Sequence, residues 1–203
     1  MRRLRRRLGS NRDGCTSITV ATIYDGGGAT HFSLLLGNYY AKVRKQRTAI
    51  VDLGNNNDYD SLCLALGKER SDVRIDSGRL SFYKKALRTD IEAIFELGYG
   101  CVIFDVGSRY LQLKNEVAMC DRRFMMMSAS PWKLEETMQG YRDYFIGDKS
   151  DKWKYLFSFG DRRSVCYMEE QLAIKMWRMP FIPDPFKVDK KQLGEIEKII
   201  LEA

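Results

Sequence analysis

The sequence has few of the residues on which metal sites and disulfide frameworks are built. Its 203 residues include a single histidine, His31, and five cysteines. The cysteines are widely spaced and include no C-x-x-C pair, so a zinc site and a disulfide framework are both disfavoured. We therefore expect a reduced, cytoplasmic protein.

Long apolar runs are also missing. No stretch approaches the ~20 apolar residues that cross a bilayer, and the arginine-rich beginning is not followed by the apolar segment of a secretory signal. Hydrophobic residues still make up 44% of the chain. This is enough to bury one core, so we expect a basic tail over residues 1–14 and a single domain over 15–203.

Acidic residues are absent from the first twelve positions, which carry most of the net positive charge. Six arginines lie there: Arg2, Arg3, Arg5, Arg6, Arg7 and Arg12. Subtracting six from the formal net charge of +7 leaves +1 for the rest of the chain. Such a tail ordinarily stays solvated. The alternatives are that it contacts an anionic membrane, nucleic acid or an acidic protein partner.

Short apolar runs alternate with helical segments along the chain. The predicted strands cover 16–23, 47–53, 79–83, 100–108, 123–130, 154–160 and 176–183. The predicted helices cover 29–45, 61–67, 89–98, 113–120, 131–145, 164–174 and 189–203. This alternation predicts an α/β fold, a three-layer, doubly wound, mainly parallel sheet with helices on both faces. Ligands of such sheets gather at the carboxyl ends of the strands.

The segment YDGGGAT, at residues 24–30, follows the first predicted strand and is built like a phosphate-binding loop. Its glycines are Gly26, Gly27 and Gly28. Glycines let backbone N–H groups converge on anionic oxygens at a helix N-terminus, and the Thr30 hydroxyl is suited to a magnesium ion. The lysine that such a loop needs is absent, because Ala29 stands in its place.

Along most of residues 16–190, the order of motifs resembles that of the ParA/MinD-type ATPases, which have a deviant Walker A loop. The segments that carry the resemblance are YDGGGAT, TAIVDLGNNND, GCVIFDVGS, MCDRRFMMMSASPWKLE and FIPDPF. The resemblance implies a P-loop NTPase fold with Thr30 and Asp105 as magnesium ligands, and with Asp52 as the candidate catalytic carboxylate. It also implies nucleotide contacts from Gly26, Gly27, Gly28, Ala29, Thr30, His31 and Pro183.

Several positions depart from the family's pattern. Tyr24 replaces the signature lysine, Asp25 replaces a glycine and Ala29 replaces the phosphate lysine. The second aspartate of the family's D-x-D is Gly54, and the asparagine that contacts adenine is not evident near 159–160. Among family members, the degenerate CpaE/TadZ-type pilus localisation proteins are the most similar in this respect.

Three site residues have simpler structural interpretations. Asp52 can cap the loop that follows it, which we favour over a role as general base or in positioning water. Asp105 can buttress the glycine loop through Thr30 instead of holding magnesium-bound water. His31 can touch phosphate or serve the fold alone.

These observations favour a catalytically degenerate ParA/MinD-like domain, a pseudo-ATPase that acts as an interaction or localisation module of a larger secretion, pilus or partitioning assembly. No cofactor is required, and ATP or ADP with magnesium binds weakly at most. A protein partner is expected, and a homodimer is an alternative assembly. Two alternatives remain: a slow ATPase or ATP-gated dimerisation switch, and a membrane or nucleic-acid tether that uses the arginine tail.

Overall fold

The computed structural model describes residues 14–54, 57–145 and 152–201. The six arginines of the predicted tail lie outside the described residues. The strands are β1 (Thr16–Thr22), β2 (Thr48–Asp52), β3 (Arg74–Ser77), β4 (Leu80–Tyr83), β5 (Cys101–Gly107), β6 (Arg122–Ala129), β7 (Trp153–Gly160) and β8 (Met176–Arg178). The α-helices are α1 (Ala29–Asn38), α2 (Asp58–Ala65), α3 (Asp90–Glu96), α4 (Lys114–Ala118), α5 (Leu134–Phe145), α6 (Arg162–Leu172) and α7 (Lys190–Leu201).

All eight strands belong to one sheet in the order β3-β4-β2-β5-β1-β6-β7-β8. Each neighbouring pair is parallel except β3 and β4, which are antiparallel. Helices cover both faces. One buried cluster joins the sheet to α3, α4, α5 and α6, and the other joins it to α1, α2 and α7. The predicted fold class is therefore confirmed.

Two strands differ from the sequence-based expectation. β3 was not predicted, because only Ile75 of its four residues is buried and no apolar run marks it. The last strand was predicted over 176–183 but ends at Arg178. Pro180 and Pro183 follow, and proline cannot donate to a strand ladder.

The first helix is also shorter than expected. It was predicted over 29–45, whereas α1 ends at Asn38 and the chain continues as a π-helix over Tyr39–Val43. Short 3₁₀ turns, Tyr110–Leu113 and Pro131–Lys133, precede α4 and α5. Within the described residues, no helix has the length and apolar character needed to cross a bilayer.

The topology brings the candidate residues together at the carboxyl edge of the sheet. β5 lies between β1 and β2, and Asp52 pairs in register with Asp105. The glycine loop leaves β1 at the same edge and leads into α1. Three loops that are far apart in sequence therefore meet at one place.

Candidate functional site

The loop between β1 and α1 depends on its glycines. Gly26 and Gly28 have φ angles of 77° and 92°, in the left-handed region that side chains with a Cβ rarely adopt. A Cβ on Gly27 would lie 1.8 Å from Oγ1 of Thr22. The Gly28 carbonyl accepts from the Phe32 amide at 3.0 Å and so starts α1. The backbone is thus arranged as an amide-lined turn at a helix N-terminus.

A hollow of about 200 Å³ opens above this turn. Residues 25–31 line it together with Thr22, Gly54, Asp58, Gly107 and Ser108. The Ser108 hydroxyl donates to the Asp25 carboxylate. The charged side chains around the hollow, among the described residues, are those of Asp25 and Asp58, with neither lysine nor arginine. The hollow is therefore lined by the backbone N–H groups of the glycine loop, and its rim carries two negatively charged carboxylates.

Ala29 and Tyr24 occupy the two positions where the resemblance places lysines. Ala29 is the first residue of α1, lines the hollow and is 4% exposed. Tyr24 packs its ring 5.2 Å from Nζ of Lys133, which is also paired with Glu136. This lysine is therefore engaged away from the hollow.

Asp105 lies behind the loop at the centre of the sheet and is 2% exposed. Its Oδ2 accepts from the Tyr59 hydroxyl at 2.9 Å, whereas Oδ1 is buried without a hydrogen-bond partner among the described residues. Burial raises the pKa of Asp105 to about 7, and the Thr30 and Tyr59 hydroxyls oppose that rise. This carboxyl therefore keeps its proton to a higher pH than an exposed aspartate does.

Sequence reasoning missed Tyr59. It lies in the first turn of α2, is fully buried and contacts Asp105 across 46 positions of sequence. The surrounding run, DYDSLCLA, gives no local sign of this role. Only the docking of α2 against the sheet brings the hydroxyl to the carboxylate.

Asp52 joins two loops through backbone amides. Its Oδ1 accepts from the Gly54 amide at 2.9 Å and its Oδ2 from the Lys85 amide at 3.2 Å. Burial raises the pKa of Asp52, and these two hydrogen bonds act in the opposite direction. Asp52 is not among the described residues that line the hollow. Its carboxylate therefore acts on the loop backbone.

His31 and Pro183 belong to a second hollow, of about 230 Å³, that shares Gly28 and His31 with the first. The imidazole is half-buried and lies beside the backbone of Ile182. Burial lowers the pKa of His31, and the Ile182 backbone and the Asp184 carboxylate act in the opposite direction. Phe159, Met179 and Phe181 add apolar walls. The structure thus places the glycine loop, His31 and Pro183 along one continuous cleft.

Magnesium fits this site only with an anionic ligand. The Thr30 hydroxyl and the open Oδ1 of Asp105 are oxygen donors of the kind that magnesium prefers. No set of three or more His, Cys, Asp or Glu side chains in the described parts of the chain is placed to hold a metal ion. The remaining oxygens would have to come from water and from a bound phosphate.

Comparisons with known proteins find relatives by structure alone. Neither a family model nor a curated protein sequence matches the chain. A protein described as a plasmid partition protein of Borrelia burgdorferi, with AMPPNP bound, has a TM-score of 0.64 at 16% identity over 91% of this chain and 96% of its own. A chain of the MinC:MinD cell division protein complex of Aquifex aeolicus has a TM-score of 0.61 at 14% identity over 83% of this chain and 82% of its own.

MinD of Pyrococcus horikoshii with Mg-ADP has a TM-score of 0.58 at 12% identity over 93% of this chain and 95% of its own. At such low identities, the likeness establishes the fold. The eight-stranded sheet and its helices have the architecture of ParA/MinD-type P-loop proteins.

Proposed function

We propose that this protein is a catalytically degenerate ParA/MinD-like domain that serves as a cytoplasmic interaction or localisation module of a larger assembly. The observation that carries the proposal is the charge of the loop hollow. Two carboxylates and a buried alanine line it, and no lysine or arginine does so among the described residues.

The energetics of phosphate recognition support this proposal. A charge-assisted hydrogen bond contributes about 1.5–3 kcal/mol, and both positions that would supply a lysine lack one. Asp25 and Asp58 repel a triphosphate further. Phosphoryl transfer depends on positioning and electrostatic stabilisation of the transferred group. We therefore expect the amide-lined turn to hold nucleotide weakly and turnover to be negligible.

Comparisons with solved structures support the localisation role by analogy. The similar proteins include one described as a plasmid partition protein and one in a MinC:MinD complex. We propose a protein partner for this chain on the same grounds, with a homodimer as the alternative assembly and a CpaE/TadZ-like pilus localisation protein as the model. No disulfide joins any of the five cysteines, all of which lie in the described residues.

A second candidate function is an ATP-gated switch or slow ATPase. The preserved backbone of the glycine loop favours it, because Gly26 and Gly28 retain the left-handed geometry and Thr30 faces Asp105. Two of the similar structures contain AMPPNP or Mg-ADP. In this alternative, nucleotide controls assembly without efficient turnover.

Calorimetric titration with Mg-ATP tests the proposal. We expect a Kd on the order of 10⁻⁴ M or weaker and no hydrolysis above the buffer control. Ala29→Lys should tighten binding by about tenfold, because it returns one charge-assisted contact. Ala29→Met is the matched control, since it adds length without charge.

Two outcomes would contradict the proposal. Submicromolar binding by the natural protein would favour the switch. ATP consumption that follows the protein through purification and disappears in Asp52→Asn would show an active enzyme. Equal affinities of the lysine and methionine variants would indicate that the turn is not shaped for phosphate.

A further inference from the structure

A third hollow continues from the second along the carboxyl edge of the sheet. It has a volume of about 660 Å³ and lies between the ends of β7 and β8 and the helix α7. We call it the Phe181 groove. The residues that matter below are Phe159, Arg178, Phe181, Glu195, Lys198 and Ile199.

Two large apolar side chains of the groove are unusually exposed to solvent. Phe181 is 83% exposed and Phe159 is 67% exposed, whereas Ile199 forms a buried floor. The two exposed rings and the buried Ile199 side chain line the same hollow. Contiguous exposed apolar surface of this kind marks interaction sites in folded proteins.

Ordered backbone positions these side chains. The Met179 amide donates to the Phe157 carbonyl at 2.9 Å, which extends the β7–β8 contact beyond Arg178. Lys154 and Arg122 donate to the Ile200 carbonyl and so hold the end of α7 against the sheet. The walls of the groove are therefore attached to the sheet on both sides.

The rim of the groove is predominantly basic. Arg178 at the end of β8 and Lys198 on α7 line the groove, and Glu195 of α7 belongs to the same lining. Across the described residues, none of these three side chains has an ion-pair partner. Both cations are exposed and free to meet carboxylates of a ligand.

We propose that the Phe181 groove binds a short acidic, amphipathic segment of a partner protein, with its apolar side chains between Phe159 and Phe181 and its carboxylates on Arg178 and Lys198. This inference rests on the proposed function and names the surface and the partner chemistry that the function requires. Aromatic residues and arginine are enriched in the cores of protein–protein interfaces and supply much of their binding energy.

Charge and shape favour this occupant over a polyanion or a bilayer. Nucleic-acid binding draws on many phosphate contacts, and the groove offers two cations and one carboxylate. A bilayer surface is flat, whereas the groove is concave and accepts individual side chains. A peptide segment with an apolar face and flanking acidic residues matches both the apolar hollow and its basic rim.

Fluorescence anisotropy of the full chain tests the proposal without nucleotide. The probe is a fluorescein-labelled amphipathic peptide of about 12 residues with leucine and tryptophan on one face and aspartate and glutamate on the other. A second peptide replaces each acid by lysine. We expect the acidic peptide to bind at least about fivefold tighter than the basic one.

Variants show whether the peptide binds in the groove. Phe181→Ser should weaken binding of the acidic peptide by about tenfold or more. The double change Arg178→Glu and Lys198→Glu should make the protein bind the basic peptide more tightly than the acidic one. Leu87→Ser and Lys68→Glu are matched controls, because both residues are exposed elsewhere. Melting temperatures close to that of the natural protein establish that each variant folds.

Several results would overturn the proposal. They are equal binding of both peptides, absence of binding, or the same loss in the Leu87 and Lys68 controls. Concentration-dependent self-association that Phe181→Ser removes would assign the groove to a second copy. A loss of Mg-ATP binding in Phe181→Ser, with peptide binding unchanged, would assign it to nucleotide. Measurable ATP turnover with intact peptide binding would contradict the proposed function and leave the groove assignment standing.

Discussion

Asp105 combines deep burial with an incomplete set of hydrogen bonds. Its Oδ1 has no partner among the described residues, and burial raises its pKa from the ordinary value of 3.8 to about 7. Between these two values, the unfolded chain releases the proton while the folded protein keeps it. The stability contributed by this group therefore falls as pH rises from about 4 to 7. Above pH 7 the carboxyl ionises in the folded protein as well, and the loss of stability increases no further.

We predict that Asp105→Asn stabilises the protein more at pH 8 than at pH 5, by a difference on the order of 2 kcal/mol. Asparagine cannot ionise, its oxygen still accepts from Tyr59, and its amide fills the place of the unpartnered oxygen. Denaturant unfolding at the two pH values measures the effect. Asp143→Asn, at an exposed position, should change stability little at either pH. An effect of equal size at both values would show that Asp105 does not titrate in this range.

The helix α1 organises the cleft through side chains on one of its faces. His31 lies beside the Ile182 backbone, Asn38 donates to the Pro185 carbonyl at 2.9 Å, and Lys42 of the π-helix donates to the Phe186 carbonyl at 2.8 Å. These positions repeat at intervals of seven and four residues, so they share a face. They hold residues 182–186 against α1 and thereby place Pro183 beside the glycine loop.

We predict that Asn38→Ala lowers the free energy of unfolding by about 1–3 kcal/mol, because it leaves the partly buried Pro185 carbonyl without its donor. Asn38 is 3% exposed and also donates to the Leu34 carbonyl. For a chain of this size, the change corresponds to a fall in Tm of several degrees.

Thermal unfolding and hydrogen exchange of residues 182–186 measure the effect of Asn38→Ala. Gln139→Ala removes an exposed amide that donates to Asp143 of the same helix, and it should have little effect. If Asn38→Ala leaves hydrogen exchange in this segment unchanged, other contacts hold it in place.

At the scale of the whole molecule, charge is unevenly distributed along the chain. Six arginines precede a body with a formal charge of about +1. A cluster of this size is attracted to anionic bilayers by about 1 kcal/mol per side chain, with strong dependence on salt. It binds duplex DNA through the same charges without sequence preference.

We predict that deleting residues 1–12 leaves Tm within about 2 °C of the full chain and abolishes retention on heparin and sedimentation with anionic vesicles at low salt. Replacing the six arginines by glutamine gives a control of equal length. Markedly earlier unfolding of the truncated chain would indicate that the arginines support the fold. If neither the full chain nor the truncated chain binds heparin or lipid at low salt, the tether function is excluded, and the tail is either inert or reserved for a protein partner.

The fold class was predictable from the sequence, because the patterns that indicate strands and helices are local. Runs such as GCVIFDVGS and the helical segments between them depend on residues that are close in the chain, and the sheet and helices confirm that alternation. Segments without a local signal were missed or misplaced. β3 has one buried residue, and β8 stops where prolines follow apolar residues that resemble a longer strand.

The candidate site was only partly accessible to sequence reasoning. The glycines at 26–28 and the alanine at 29 are visible in the sequence, because a tight turn and a missing charge are properties of single positions. Contacts between distant segments include the Tyr59 hydroxyl on Asp105, the Lys85 amide on Asp52 and the Asn38 amide on the Pro185 carbonyl. Their geometry is set by how helices and loops dock on the sheet, so only the tertiary structure decided them. The negative rim of the hollow and the Phe181 groove were decided by the tertiary structure for the same reason.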